Sequence, residues 1–211
     1  MGKRGFISVM IVAIFLSSIF AVSDYSELPN EKTVLFADSE PELLISAGSA
    51  TGHVNGSEIE WTPQGIVVAG DTRNNLDFGG IALQATSGYN QFLDADSYVA
   101  MVDEQGNWQW AVMPSATQGL TLINDMTTDL GGDIYIGGTI FGQVAFGSTS
   151  NSPVIQSQNF DGFVAKLDPY GQWLWATSFS TATNNDSNNS IVTGIDFDPY
   201  SGNLIVVGTH Q

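Results

Sequence analysis

Imidazoles are scarce in this chain of 211 residues: His53 and His210 are the only two. A hydrolase triad needs a histidine held between a serine and a carboxylate. Neither histidine has such partners at a recognisable spacing, and no G-x-S-x-G elbow is present. Both read as loop residues. Cysteine is absent, which removes a thiol nucleophile, thiolate metal sites, disulfides and a lipidated cysteine. The pairs Gly131-Gly132 and Gly137-Gly138 lack the Gly-Lys-Ser/Thr ending of a phosphate loop and read as turn and close-packing glycines. No residue is singled out as catalytic or as cofactor-binding.

Oxygen side chains offer more. Asp196-Phe197-Asp198-Pro199-Tyr200-Ser201-Gly202-Asn203 places them at alternate positions before a glycine, which partly imitates a calcium loop. Proline replaces flexibility there, and no distal glutamate follows. The comparable Asp129-Leu130-Gly131-Gly132-Asp133 loses most of the ligands, so a plain β-turn is the reading and Ca2+ the alternative. No metal-ligand set is assigned. Asp96 and Asp161 stand before equivalent apolar runs and read as turn caps. Asn55, Asn185 and Asn188 each open an Asn-x-Ser triplet, a glycosylation acceptor in an organism that glycosylates. Trp108, Trp110, Trp173 and Trp175 could stack on sugars if exposed; their spacing favours packing between neighbouring units.

That spacing belongs to an internal repeat. Asp96–Val112 reads DSYVAMVDEQGNWQWAV and Asp161–Thr177 reads DGFVAKLDPYGQWLWAT, an ungapped copy 65 residues later. Eight of seventeen positions match, including Asp96/Asp161, Gly106/Gly171, Trp108/Trp173 and Trp110/Trp175. Gly132–Thr139 returns as Gly202–Thr209, and more loosely as Gly65–Thr72. Asp77-Phe78-Gly79 corresponds to Ala145-Phe146-Gly147, and Ser49-Ala50-Thr51 to Ser115-Ala116-Thr117. Length differences fall in Asn/Ser/Thr/Gly-rich connections, which read as loops.

Each unit reads as strands. Ile134-Tyr135-Ile136 and Ile205-Val206-Val207 are β-formers beside glycines. Phe163–Leu167 leads into Asp168-Pro169-Tyr170-Gly171, with proline and glycine placed as a turn requires. Trp173-Leu174-Trp175 then resumes a strand, and the two-residue period predicts both tryptophans on one face. No segment beyond residue 23 has a 3.6-residue apolar period. The fold class is all-β.

These residues resemble the SBBP type of bacterial and archaeal β-propeller repeats, whose units carry D-x-F-V-A-K-L-D-x-x-G-x-x-x-W followed by G-N-x-Y-V-x-G-x-T. Asp161–Trp175 is similar to the first segment; Gly132–Thr139 and Gly202–Thr209 are similar to the second. The resemblance covers Gly65 to Thr209, with a weaker extension back to Leu43. It implies tandem four-stranded blades around a central axis, on secreted or cell-surface proteins, and it carries no shared catalytic residues. A propeller closes with about 4 to 8 blades, because closure removes sheet edges. Here residues 43–211 hold about two full units and partial ones. The expectation is therefore the N-terminal part of a longer propeller, with closure by self-association as the alternative.

Lys3 and Arg4, the charge-free run Phe6–Val22 and the small residues Ala21 and Ser23 before Asp24 form the three parts of a secretory signal, residues 1–23. An uncleaved anchor is the alternative, and no other stretch reads as a membrane span. Residues 24–42 are a lead-in. Without the signal, three basic residues face 22 acidic ones, a net charge of −19. Such a surface repels phosphate backbones, which argues against nucleic-acid binding. The expected location is secreted or cell-surface. The expected function is a binding or scaffold module for a protein or glycan partner. The rival is an exported propeller enzyme, a glycan hydrolase or lyase, with its active site in a part not present here.

Overall fold

Apolar runs bounded by Asp, Asn and Gly turns favour strands throughout. The computed structural model describes residues 8–14, 43–49, 54–86, 95–179 and 189–210; in these the protein is all-β, without a helix. The strands are β1 (Ser8–Ile14), β2 (Leu43–Ser49), β3 (Val54–Thr62), β4 (Gly65–Thr72), β5 (Leu76–Phe78), β6 (Ile81–Leu83) and β7 (Asp96–Val102). They continue as β8 (Trp108–Val112), β9 (Ser115–Thr128), β10 (Ile134–Ala145), β11 (Val154–Leu167), β12 (Trp173–Phe179), β13 (Ser190–Asp198) and β14 (Asn203–His210).

All pairings are antiparallel. Sheet I runs β3-β4-β7-β8, sheet II runs β9-β10-β11-β12, and sheet III is the hairpin β13-β14. A further sheet, β1-β2-β5-β6, joins the N-terminal strands to the β5–β6 hairpin. Among the described residues the sheets close into no barrel or ring. Ser8–Ile14, inside the expected signal segment, is the strand paired with Leu43–Ser49. The Ala21-x-Ser23 site, the lead-in 24–42, His53, Asn185 and Asn188 lie outside the described residues.

Sheet II is packed between the other two. Val67, Val99 and Met101 of sheet I meet Ile134, Phe163 and Leu167 of sheet II in the largest buried cluster. On the opposite side, Tyr135 and Val164 of sheet II meet Val192 and Ile195 of sheet III. A strand covered on both faces should be apolar without interruption. Ile66–Ala69 and Tyr98–Val102 are buried without a break. The other face of sheet I carries its own cluster, with Ile66, Phe78 and Tyr98.

One bulge recurs at the same place in the first strand of sheets I, II and III. The ladder skips Ser57 in β3, Asn124 in β9 and Thr193 in β13. A bulge leaves its residue unpaired and re-aims the side chain. Ser57 Oγ makes a long 3.5 Å contact to the Ile123 carbonyl of sheet II. Asn124 Nδ2 donates to the Val192 carbonyl of sheet III at 2.8 Å. A second joint is also used twice. Thr121 Oγ1 accepts from Ser97 N at 2.9 Å, and Ser190 Oγ accepts from Gly162 N at 2.9 Å. The sheets are thus tied by hydrogen bonds as well as apolar area.

The β11–β12 turn shows how tight this fit is. Gly171 has φ +81°, and a Cβ there would sit 2.7 Å from the Trp110 ring of sheet I. Gly171→Ala should lower stability by about 1–3 kcal/mol, since a left-handed backbone and a ring contact are both disturbed. Urea unfolding would check this; an unchanged midpoint would show that the turn yields freely.

Candidate functional site

Asp103, Asp129, Asp168 and Asp198 are engaged in turns. Asp103 Oδ1 accepts from the backbone N–H groups of Gln105 and Asn107 at 3.0 and 2.8 Å. Asp168 Oδ1 accepts from Tyr170 and Gln172 at 2.9 and 2.8 Å, and Asp129 Oδ1 from Gly131 and Asp133 at 2.9 and 3.0 Å. In each case Gly106, Gly171 or Gly132 donates back to the aspartate carbonyl. The backbone hydrogen bond from Asn107 is the main cause holding the Asp103 carboxyl below its ordinary range. Asp198, from the segment that imitated a calcium loop, accepts from Tyr200 N at 2.9 Å and Ser201 Oγ at 2.5 Å. The Ser201 bond is the main cause lowering its carboxyl.

Asp96 and Asp161 are both buried; Asp96 is the first residue of β7, whereas Asp161 lies within β11, opposite Ile140, where a turn cap was expected. Asp96 Oδ2 accepts from Thr86 N at 2.6 Å, and Asp161 Oδ2 accepts from Ser157 Oγ at 2.5 Å. Asn55 is exposed in β3, where its side chain donates to Asp71 Oδ1 at 3.1 Å. His210 is the exposed last residue of β14, a strand position where a loop was expected.

The tryptophans do not share a face. Trp108 is opposite Val102 and Trp110 opposite Met101, so the ladder skips Gln109; Leu174 is skipped in the same way. This bulge breaks the two-residue alternation and turns the two rings to opposite sides. Trp108 and Trp173 face inward on their own sheets, edge-on to Phe78 at 4.9 Å and Phe146 at 5.1 Å. Trp110 crosses to sheet II, where its Nε1 donates to the Pro169 carbonyl at 3.1 Å. Trp175, its repeat equivalent, stays 38% exposed, touching Tyr135 with ring centroids 6.2 Å apart. Packing between units therefore describes Trp110, whereas Trp108 and Trp173 pack within their own units.

Sheet III has an open apolar face on the side turned away from sheet II, since Leu204 and Val206 of β14 take the side toward sheet II. Ile205 and Val207 of β14 are 53% and 57% exposed, and Phe179 of β12 is also exposed. Their sheet II counterparts, Tyr135 and Gly137, are covered by sheet III: a Cβ on Gly137 would meet Val192 at 2.7 Å. A cleft of about 360 Å3 lies between the β11–β12 end and β14, lined by Gly162, Phe179, Val206, Gly208 and His210 among others.

The first strands carry a second feature, a row of carboxylates: Glu58 and Glu60 on β3, Asp125 on β9 and Asp196 on β13. Partial burial, then Asp125 and Glu60, raise the Glu58 carboxyl. Partial burial also raises Glu60; a Trp61 backbone hydrogen bond works against this, and Asp125 and Asp196 add to it. Asp125 is also structural, since its Oδ2 accepts from Ile195 N at 2.7 Å. A different arrangement surrounds Lys166, whose Nζ is 2.6 Å from Asp133, 3.6 Å from Asp129 and 4.7 Å from the Tyr135 ring centre. Burial alone would lower this ammonium, but the Asp133 hydrogen bond and Tyr135 more than offset it and hold it above its ordinary value. The first unit has Val67 and Met101 in place of Tyr135 and Lys166, so this cluster is particular to sheet II.

No protein-family model and no curated protein matches this sequence.

Two outcomes follow from this geometry. Trp110→Phe should cost about 1–2 kcal/mol through the lost indole bond and packing, while Trp175→Phe should cost less than about 0.5 kcal/mol. Equal losses in chemical denaturation would contradict the different roles of the two rings. For Glu60, a folded-state value above the unfolded one means that the ionised form weakens the fold; the loss is full above the folded value and vanishes below the unfolded one. Glu60→Gln should therefore raise the melting temperature by about one or two degrees at pH 7 and leave it unchanged below about pH 4. A gain persisting at low pH would remove the electrostatic explanation.

Proposed function

We propose that this chain is an exported propeller-type repeat protein of SBBP kind, serving as a binding or scaffold module for protein or glycan partners. The N-terminal basic, apolar and small-residue segments support export. The stacked four-stranded sheets with recurring bulges, turns and aromatic contacts support blades. The observation that carries the binding role is the exposed outer face of sheet III, with Ile191, Ile205 and Val207, on a strongly acidic protein. Exposed apolar surface gathered on one sheet face is characteristic of interaction sites. By contrast, Asp103, Asp168 and Asp198 cap turns, Asp129 and Asp133 pair with Lys166, and Asp125 braces sheet III.

The full chain should bind an immobilised glycan or exported protein saturably without converting it. Parallel incubation with polysaccharides should release no reducing ends and no unsaturated sugar. Protein-dependent product release would replace this reading with an exported glycan hydrolase or lyase. Absence of saturable binding across both ligand classes would remove the binding role.

A further inference from the structure

Two turns carry the same tripeptide without sharing a place in the repeat. Asp168-Pro169-Tyr170 lies between β11 and β12, where sheet I has Asp103-Glu104-Gln105. Asp198-Pro199-Tyr200 lies between β13 and β14, where sheet II has Asp129-Leu130-Gly131. Duplication of the unit therefore does not account for the match. In both turns the aspartate Oδ1 accepts from the tyrosine N–H at 2.9 Å, and proline fixes the residue between them. Tyrosine is not among the residues that turns favour, yet these rings are 71% and 99% exposed. Their exposure does not come from a missing neighbour. Glu104, Gln105 and Leu130, at the equivalent tips, are exposed with the next sheet stacked beside them.

Both turns lie at one end of the stacked sheets. Within sheets I and II, β7 runs parallel to β3 and β11 to β9, so the turns that follow them fall together. Between sheets, a Cβ on Gly132 would meet Gln64 of the β3–β4 turn at 2.3 Å, and Tyr135 stacks on Phe197 beside Asp198. This end carries Asp103, Glu104, Asp129, Asp133, Asp168 and Asp198. Lys166 is the one basic residue described there. Its surroundings show how this end takes a cation: Nζ is 4.7 Å from the Tyr135 ring centre, 2.6 Å from Asp133 and 3.6 Å from Asp129. A tyrosine beside a turn aspartate is also what each Asp-Pro-Tyr turn presents to solvent. We propose that this turn end docks a basic segment of a partner protein, with Tyr170 and Asp168 taking one arginine or lysine and Tyr200 and Asp198 another. Six carboxylates against one ammonium repel an anionic partner, whereas a guanidinium gains from ring and carboxylate together.

This surface names a partner chemistry for the binding-module reading and rests on that reading for a role. The probe is a dye-labelled peptide, RGRGRGR, titrated with the full chain at low salt and followed by fluorescence anisotropy. Binding should be saturable, and the same peptide with citrulline in place of arginine should not bind. Tyr170→Ser and Tyr200→Ser should each weaken binding about threefold, and together about tenfold, although the charge of the chain is unchanged. Both rings are exposed, so the melting temperature of the variants should stay where it was. Equal binding by the double variant would reduce the effect to general attraction toward an acidic chain and overturn the site. So would equal binding of the citrulline peptide, or no saturable binding of RGRGRGR. None of these outcomes touches the face that carries Ile205 and Val207, so the glycan and exported-protein assays remain a separate test of the broader role.

Discussion

Sheets I and II are each apolar on both faces, and everything else in this structure follows from keeping water off all of those faces. A sheet with one wet face alternates apolar and polar residues. Here Tyr98–Val102 is buried without a break, so every strand of that kind needs a neighbour on each side. Sheet II satisfies the condition by lying between sheets I and III. Sheet III meets it on one side only. Its covered residues Val192 and Ile195 and its open residues Ile205 and Val207 show the same requirement met and unmet within one hairpin.

Apolar area alone would let such sheets slide, since it has no direction. The hydrogen bonds between sheets supply direction. Thr121 and Ser190 are buried hydroxyls that each take a backbone N–H from the preceding sheet, and an unmade bond there would leave a buried donor unsatisfied. Asp125 does the same in the other sense, accepting from Ile195 N. These polar contacts fix the offset between sheets, and that offset lets Trp110 meet the Pro169 carbonyl.

The parts of the fold legible in the sequence are those decided locally. An aspartate followed by a glycine three residues later makes its own turn, because the side chain and the positive φ are properties of those few residues. Asp103, Asp129 and Asp168 behave alike for that reason. The strand positions were legible from β-formers between glycines. The faces of Trp108 and Trp110 were not, because the bulge at Gln109 depends on the partner strand, and strict alternation gives the wrong side. The row formed by Glu58, Glu60, Asp125 and Asp196 was hidden for another reason. Its members are widely separated in sequence and meet only after three sheets have stacked. Thr121, Ser190 and Asn124 carried no chemical signature, since a hydroxyl or amide in a strand is ordinary until its partner is seen.

The bulge residues Ser57, Asn124 and Thr193 differ in every unit, yet Ser57 and Asn124 both aim at a main-chain carbonyl. A carbonyl is present whatever the side chain of its residue. At these bulges the docking code is therefore written on one partner only. A unit can drift in sequence, or be duplicated beside a diverged neighbour, without waiting for a matching change across the joint. Such one-sided joints make a lineage of these sheets easy to lengthen and hard to recognise from sequence.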